Sequence, residues 1–534
     1  MPLPLLARTA LPWHRLILPA LALAGVAACD DNASKATTGA VPATTAPASS
    51  GSAGPVVPAV MVNTAATAVP APAAAPAFKP VPLRDPGIAG YKFPEASDTI
   101  LGWVEKKDQK AINTHAWGIW TSLTRPSGER FESQELLVFE TWETPSDIMT
   151  PSAKKLHRNP RPVVRPHQLL RAGRKGITAT STHGGETALG FVKYDPEAAA
   201  YAIKENVFST ANLQSMLAAG KTTIPPFPNA GMTLKPVFQA LATGKTVGKP
   251  DASTPLQVDG HYFRLANWPG PIDPPKAYPP QDWKHCVWID VDDPAQGPGT
   301  GADDKACGAD GKSRKPETTY GVGRLMSYKL SKAEADSVNA ANLAAFTPGP
   351  ENPQPIPGYV MAQEGDTSVL LAMHVTSREI EEWTWQTFFW APNPDDPPFP
   401  SSKAVAADRP KELTGPARNY AHCTAYQMLD PNEKPRGGTG KGESVYCFNP
   451  WLEAGFGPDV LSDSKPGVYK GKPVKNDVGD QTNCMSCHAQ ANFAPSTVTT
   501  GPGYTGDRYV DLAGPEFKGT LQVDFAWSIP NNAK

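Results

Sequence analysis

The sequence predicts an α+β fold: a large, loop-rich domain with an antiparallel sheet and peripheral helices. Three observations predict it. The neighbouring runs SVLLAMHVTSREI (368–380) and EWTWQTFFW (382–390) are rich in β-branched, aliphatic and aromatic residues, and read as a hairpin or meander. Helix signals are mixed with further strand-like runs along the chain. The 534 residues include 59 prolines, most of them after residue 84, which demands many ordered loops.

Taken in order, residues 1–28 read as an export signal. Arg8 and Arg15 give a positive start, and 16–28 (LILPALALAGVAA) is apolar but too short to span a bilayer as a stable helix. The run ends Val26-Ala27-Ala28-Cys29. That ending resembles the lipobox of bacterial lipoproteins, in which the Cys becomes the acylated first residue; Val26 stands where Leu is more usual. The resemblance implies lipidation of Cys29. Asp30 and Asp31 resemble the Gram-negative signal for retention at the inner membrane. Ordinary cleavage near the same small residues, with Cys29 incidental, is the alternative. An acylated terminus anchors a soluble domain without a spanning helix, and no other apolar stretch of about 18 residues follows. Loss of Arg8 and Arg15 with the leader takes the formal charge from −2 to −4. That balance lacks the basic footprint of a nucleic-acid binder.

Residues 29–84 are mostly Ala, Pro, Thr, Ser, Val and Gly. No charge falls between Lys35 and Lys79, and Phe78 is the only aromatic. Such a segment buries too little apolar surface to offset its ordering entropy, and reads as a disordered tether with a reach of about 40 Å.

Residues 85–530 form the globular body, with one or two subdomains. Ser97-Asp98 opens DTILGWVEKKDQKAINTHAWGIW (98–120), one or two helices. Asp195-Pro196-Glu197 is a cap, a proline at the first helical position and an acid at the positive end of the dipole. STANLQSMLAAG (209–220) is a helix with a glycine stop, and Ser331 with Glu334 forms a capping box for a helix to residue 345. Strands are expected in ELLVFETW (135–142), HYFRLANW (261–268), HCVWIDVD (285–292), YGVGRLMSYKL (320–330) and the final GTLQVDFAWSI (519–529). ARNYAHCTAYQML (417–429) reads as a helix. Trp383, Trp385, Phe388, Phe389 and Trp390 read as a sheet core with aromatics on both faces, or as a pocket wall. Asp290, Asp292, Asp293, Asp303 and Asp304 form a solvated acidic loop or a hard-cation site. No nucleotide-binding or serine-hydrolase motif is present.

The seven cysteines stand at 29, 286, 307, 423, 447, 484 and 487. Export exposes them to an oxidising compartment. Cys29 goes to the lipid, and Cys484 and Cys487 belong to a motif of their own. Four remain, in two local couples: Cys286 with Cys307 and Cys423 with Cys447. Each would close a loop of about 20 to 25 residues and contribute roughly 3 kcal/mol. Four cysteines admit three pairings, of which the local one is expected.

QTNCMSCHAQANF (481–493) contains Cys484, Cys487 and His488 as C-x-x-C-H. In an exported chain this motif resembles the attachment site of c-type cytochromes. The resemblance implies one covalent haem c, with Cys484 and Cys487 bonded to its vinyl groups and His488 as the proximal iron ligand. On a helix the two cysteines share a side, which suits two vinyls of one porphyrin. Asp480 or Thr482 would cap the short helix and Pro495 would stop it. A zinc reading needs two further ligands, and no second C-x-x-C or H-x-x-x-H exists. A thioredoxin-like pair needs a strand before the motif.

Small cytochrome c domains carry a Met ligand downstream. Here neither Met nor His follows His488. The haem segment, from about residue 475 to 530, is therefore expected to dock on the preceding body rather than form a standalone module. A sixth ligand must come from upstream or be absent. The candidates are His374, Met428, Met373 and His422, with His115, His183, Met326 and Met361 behind them. Met373 and His374 are strand neighbours, so at most one faces a haem. A saturated iron favours one-electron transfer; a vacant position permits a haem-dependent oxidoreductase acting on a small molecule, or a sensor. The layout implies a lipid-anchored monohaem protein on the periplasmic side of the inner membrane, exchanging electrons with partner proteins there.

Overall fold

The computed structural model describes residues 78–150, 158–162, 189–297, 311–312, 314–347, 358–457, 466–469, 472–475, 478–494 and 506–534. These combine helices with antiparallel sheets, without a closed barrel, which is the α+β class expected. The leader, Cys29, His183, Asp303, Asp304, Cys307 and Pro495 lie outside the described residues. The tether boundary at 84 needs correction. Phe78 and Val81 are buried. Val81 N donates to Thr141 Oγ1 at 2.9 Å, and Trp142 Nε1 donates to the Val81 carbonyl at 2.8 Å. Two apolar side chains give this end of the segment what the preceding Ala/Pro/Thr sequence lacks. No helix among the described residues is long and apolar enough to cross a membrane.

The centre is a seven-stranded antiparallel sheet. Its strands are β1 (Leu189–Gly190), β2 (Lys193–Tyr194), β3 (Met232–Leu241), β4 (Ser327–Lys329), β5 (Thr367–Ser377), β6 (Thr384–Trp390) and β7 (Tyr420–Ala425). The order is β7-β6-β5-β3-β1, with β4 also on β5 and β2 also on β3. The expected pair at 368–390 is β5 and β6, in register from Ala372 opposite Phe389 to Ser377 opposite Thr384. The helix expected over 417–429 is instead strand β7. Five of its six residues are buried, so it shows no polar–apolar alternation, and an apolar run of that length does not distinguish strand from helix. Two other expected strands are shorter than read. Gln134–Leu137 gives way to a 3₁₀ turn over Val138–Thr141, and 320–330 splits into Thr319–Gly321 and β4.

Helix punctuation follows the sequence closely. The 98–120 run is two helices, α1 (Ser97–Glu105) and α2 (Gln109–Leu123), broken at Lys107, which is left-handed at φ +56°, and restarted by Asp108, whose carboxylate accepts from Ala111 N. Asp195 caps α3 (Pro196–Lys204), Ser209 caps α4 (Thr210–Ala218), and Ser331 with Glu334 closes the capping box of α5 (Lys332–Phe346). Gly220 stops α4 at φ +76°, a conformation that glycine adopts freely.

The pleat divides the core in two. Phe388 pairs with Met373 on one side and His422 on the other, so these three share a face. Helix α2 packs there: Trp120 stacks on Phe388 with centroids 4.2 Å apart, and Trp117 meets His422 edge-on at 4.4 Å. Trp385 pairs with Thr376 and Ala425, and Thr387 with His374 and Cys423, so these occupy the opposite face. That face is covered by the end of the chain, in a second cluster with Cys447, Cys484, Met485, Leu521, Phe525 and Ile529.

Candidate functional site

The C-x-x-C-H stretch forms a single short helix, α7 (Cys484–Ala489). Its cap is Asn483, not Asp480 or Thr482. Asn483 Oδ1 accepts from Ser486 N at 3.1 Å, while its Nδ2 donates to the carbonyls of Gln427 at 3.1 Å and Val445 at 2.7 Å. Thr482 Oγ1 is spent one turn earlier, on the Gly479 carbonyl. The side chain directly before the first helical residue is the one placed to reach the open N–H groups, so Asn483 takes the role.

A disulfide fixes this helix to the sheet. Cys423 on β7 is bonded to Cys447. Cys447 N donates to the Thr482 carbonyl at 2.9 Å and Cys484 N donates to the Cys447 carbonyl at 3.2 Å. The Cys423–Cys447 pairing is thus the local one expected. Cys286 is also in a disulfide, and the expected partner Cys307 lies outside the described residues. Asp290 of the acidic loop accepts from Asp292 N at 2.9 Å and Asp293 N at 3.0 Å, closing its own turn. A further clamp is a close approach. A Cβ on Gly479 would fall 1.4 Å from the Glu453 carbonyl oxygen, so only glycine lets the turn before α7 lie against α6 (Pro450–Glu453).

Cys484, Cys487 and His488 all line one cavity of about 350 Å³, which lies against the second face of the sheet. Aromatic rings of Phe191, Trp383, Trp385, Phe456 and Phe525 form much of its wall. The aromatic run therefore serves both readings: Trp383 and Trp385 face the cavity, while Phe388 packs in the opposite core. Neither Cys484 nor Cys487 is in a disulfide. Burial pushes the Cys487 thiol up to about 12 and Cys484 well above its usual range, with the Glu453 carboxylate adding to both. Both remain S–H. Burial also holds the His488 imidazole down to about 3, with His374 and Lys235 acting in the same direction, so its ring is neutral.

His488 is oriented by the chain end. Its Nδ1 lies 2.8 Å from the Phe525 carbonyl oxygen, so Nδ1 carries the hydrogen and Nε2 keeps the lone pair. The ring sits 4.1 Å from the Trp385 ring. Trp527 Nε1 donates to the Cys487 carbonyl at 3.2 Å. The final strand expected over 519–529 is mostly absent: Leu521–Gln522 pairs with Asn492–Phe493, and then Asp524 and Phe525 are left-handed, at φ +47° and +65°. Non-glycine residues there carry a cost of roughly 1–3 kcal/mol each. Asp524 is held by Phe227 N at 2.8 Å and Arg378 Nε at 3.2 Å. The broken alternation is what presents the Phe525 carbonyl to His488.

The upstream candidates separate cleanly. His374 lines the cavity, with Nε2 2.8 Å from Glu453 Oε1. Met373 is its strand neighbour and points into the other core. His422 lies in that core too, buried between Trp117 and Phe388, and burial pushes its pKa down to about 3. Met428 is buried beside Val510, whose N–H reaches its Sδ at 3.3 Å. His115 is engaged at both nitrogens, by Tyr426 at 2.7 Å and Glu379 at 3.1 Å. Sequence reasoning missed Glu453 and the Phe525 carbonyl, for which no local pattern exists. It also missed Asn483, whose place before a helix start was legible.

The described residues bring together an aromatic-lined cavity, two thiols on one helix, and an imidazole whose Nδ1 is taken by the Phe525 carbonyl. Comparisons with protein-family models, curated proteins and solved structures found no match to the chain.

Proposed function

We propose that this chain is a monohaem c-type electron carrier. Cys484 and Cys487 hold the porphyrin through thioether bonds and His488 ligates its iron. When bound, the group supplies a one-electron couple between ferric and ferrous iron. The observation that carries the reading is the convergence of both thiols and His488 on one aromatic-walled cavity, with the His488 N–H taken by the Phe525 carbonyl. A metal-bound imidazole is characteristically fixed by such a hydrogen bond from its other nitrogen. The haem-bearing helix docks on the body through Asn483 and Cys447 rather than in a module of its own. The chain's work is to hold the group in a dry, rigid site: the sheet supplies the wall, and the disulfide and the close approach at Gly479 supply the rigidity.

The export-type leader and the lipobox-like Cys29 support a location at the periplasmic side of the inner membrane, on a lipid anchor and tether. There it exchanges electrons with soluble or membrane-bound redox proteins. A second reading has one supporting observation. The His374–Glu453 pair on the cavity wall could pass a proton to a small molecule bound at an open iron position, as a haem-dependent oxidoreductase or sensor would require.

The test is attachment. Expressed with a c-type maturation system, the wild type should stain for haem after denaturing electrophoresis, and Cys484→Ala with Cys487→Ala should abolish the stain. Stain that survives the double substitution, or a colourless wild type, overturns the reading.

A further inference from the structure

We propose that His374 is the second axial ligand of the iron, so that two imidazoles close the site and Glu453 positions one of them. This rests on the covalent-haem reading above.

Strand register puts His374 on the correct side. It pairs with Thr387 on β6 and Lys235 on β3, one step along from Thr376 opposite Trp385. Trp385 touches His488, so His374 and His488 approach the same cavity from two directions: one from the sheet, one from α7. Among the described residues the other candidates do not line it. Met373 and His422 lie across the sheet, Met428 Sδ sits on the Val510 N–H, and His115 is bonded at both nitrogens. His374 is the one His or Met besides His488 on the cavity wall among the described residues. Lys235, the cross-strand partner of His374, lines it too.

The ring is also prepared as a ligand. Glu453 Oε1 lies 2.8 Å from His374 Nε2 and takes that N–H, leaving the other ring nitrogen with its lone pair. The other Glu453 oxygen accepts from Asn449 N. Asn449 in turn donates through Nδ2 to Thr387 Oγ1 at 2.7 Å and to the Phe388 carbonyl at 3.2 Å. Asn449 therefore ties the carboxylate to β6, the strand beside His374. This is the carboxylate–histidine arrangement that fixes a ligand's tautomer and raises its basicity. The nitrogens differ: a carboxylate holds His374 at Nε2, whereas a carbonyl holds His488 at Nδ1.

Two imidazoles saturate the iron and exclude small molecules from it, which favours electron transfer over activation chemistry. Glu453 is a positioning residue. A more basic ligand favours ferric iron, so Glu453→Gln should raise the midpoint potential while the iron stays six-coordinate.

The experiment uses the full chain carrying covalent haem, followed by absorption and electron paramagnetic resonance. Expected are low-spin ferric and ferrous spectra for the wild type, with no response to carbon monoxide. His374→Ala should convert ferric iron to high spin and open it to carbon monoxide, and added imidazole should restore the low-spin spectrum. A high-spin or carbon-monoxide-reactive wild type overturns the assignment and supports the open-site reading; this arm needs no variant. An unchanged spectrum in His374→Ala also overturns it. Failure of the haem reading itself looks different: the wild type then shows no stain on a denaturing gel.

Discussion

Glu382 stands at the turn between β5 and β6, 8% exposed, beside Glu381 and ahead of the left-handed Trp383. Burial pushes its carboxyl up to about 7, Glu381 adds to that, and Arg378 and Arg436 offset only part of it. Between about pH 4.5 and 7 the folded chain thus keeps a proton that the unfolded chain has released. Stability falls across that window as pH rises, by up to about 3 kcal/mol. Glu382→Gln removes the titration, so its denaturation midpoint should change less than that of the wild type between pH 4.5 and pH 8. Parallel pH profiles for the two proteins would contradict the account. The site shows the limit of sequence reading at this scale. Cys484, Cys487 and His488 are legible because their spacing is itself the chemistry. Glu453 and the Phe525 carbonyl are not, because their roles come from positions brought together by folding.

At the scale of elements, the Cys423–Cys447 bridge joins the sheet to α7 through the two backbone hydrogen bonds of Cys447. The bridged residues are 24 apart in sequence. Replacing both with Ser should destabilise the protein by about 3 kcal/mol on the loop-entropy account, lowering the denaturant midpoint. Haem attachment should survive, since neither bridged sulfur lies in the motif; a variant as stable as the wild type would show that the clamp adds nothing. Caps and stops were the legible part of the elements: Asp195, Ser209, Gly220 and the Ser331–Glu334 box act as read. Strand β7 and the chain end were not. The first is buried on both faces and loses its period, and the second breaks its alternation at Asp524 and Phe525 in favour of a turn held by the Phe227, Arg378 and His488 contacts.

For the whole molecule, the α+β class was legible in the mixed strand and helix signals along the chain. The cavity itself was not legible, because its wall draws on residues from Thr144 to Asn532. The proposed anchor makes a prediction at this scale. Cys29→Ala should move the exported protein from the membrane pellet to the soluble fraction without altering its haem content, as fractionation and gel staining would record. Retention in the pellet would argue against a lipid on Cys29.

The contact between Cys484 and Cys447 has a further consequence for biogenesis. Cys484 Sγ lies 3.2 Å from the Cys447 carbonyl oxygen, which sets the first thiol of the motif beside the native bridge. Joining Cys447 to Cys484 would remove a thiol that the proposed haem attachment needs and leave Cys423 without its partner. On the proposed export route residues 423 and 447 would emerge ahead of 484, an order that favours the native bridge.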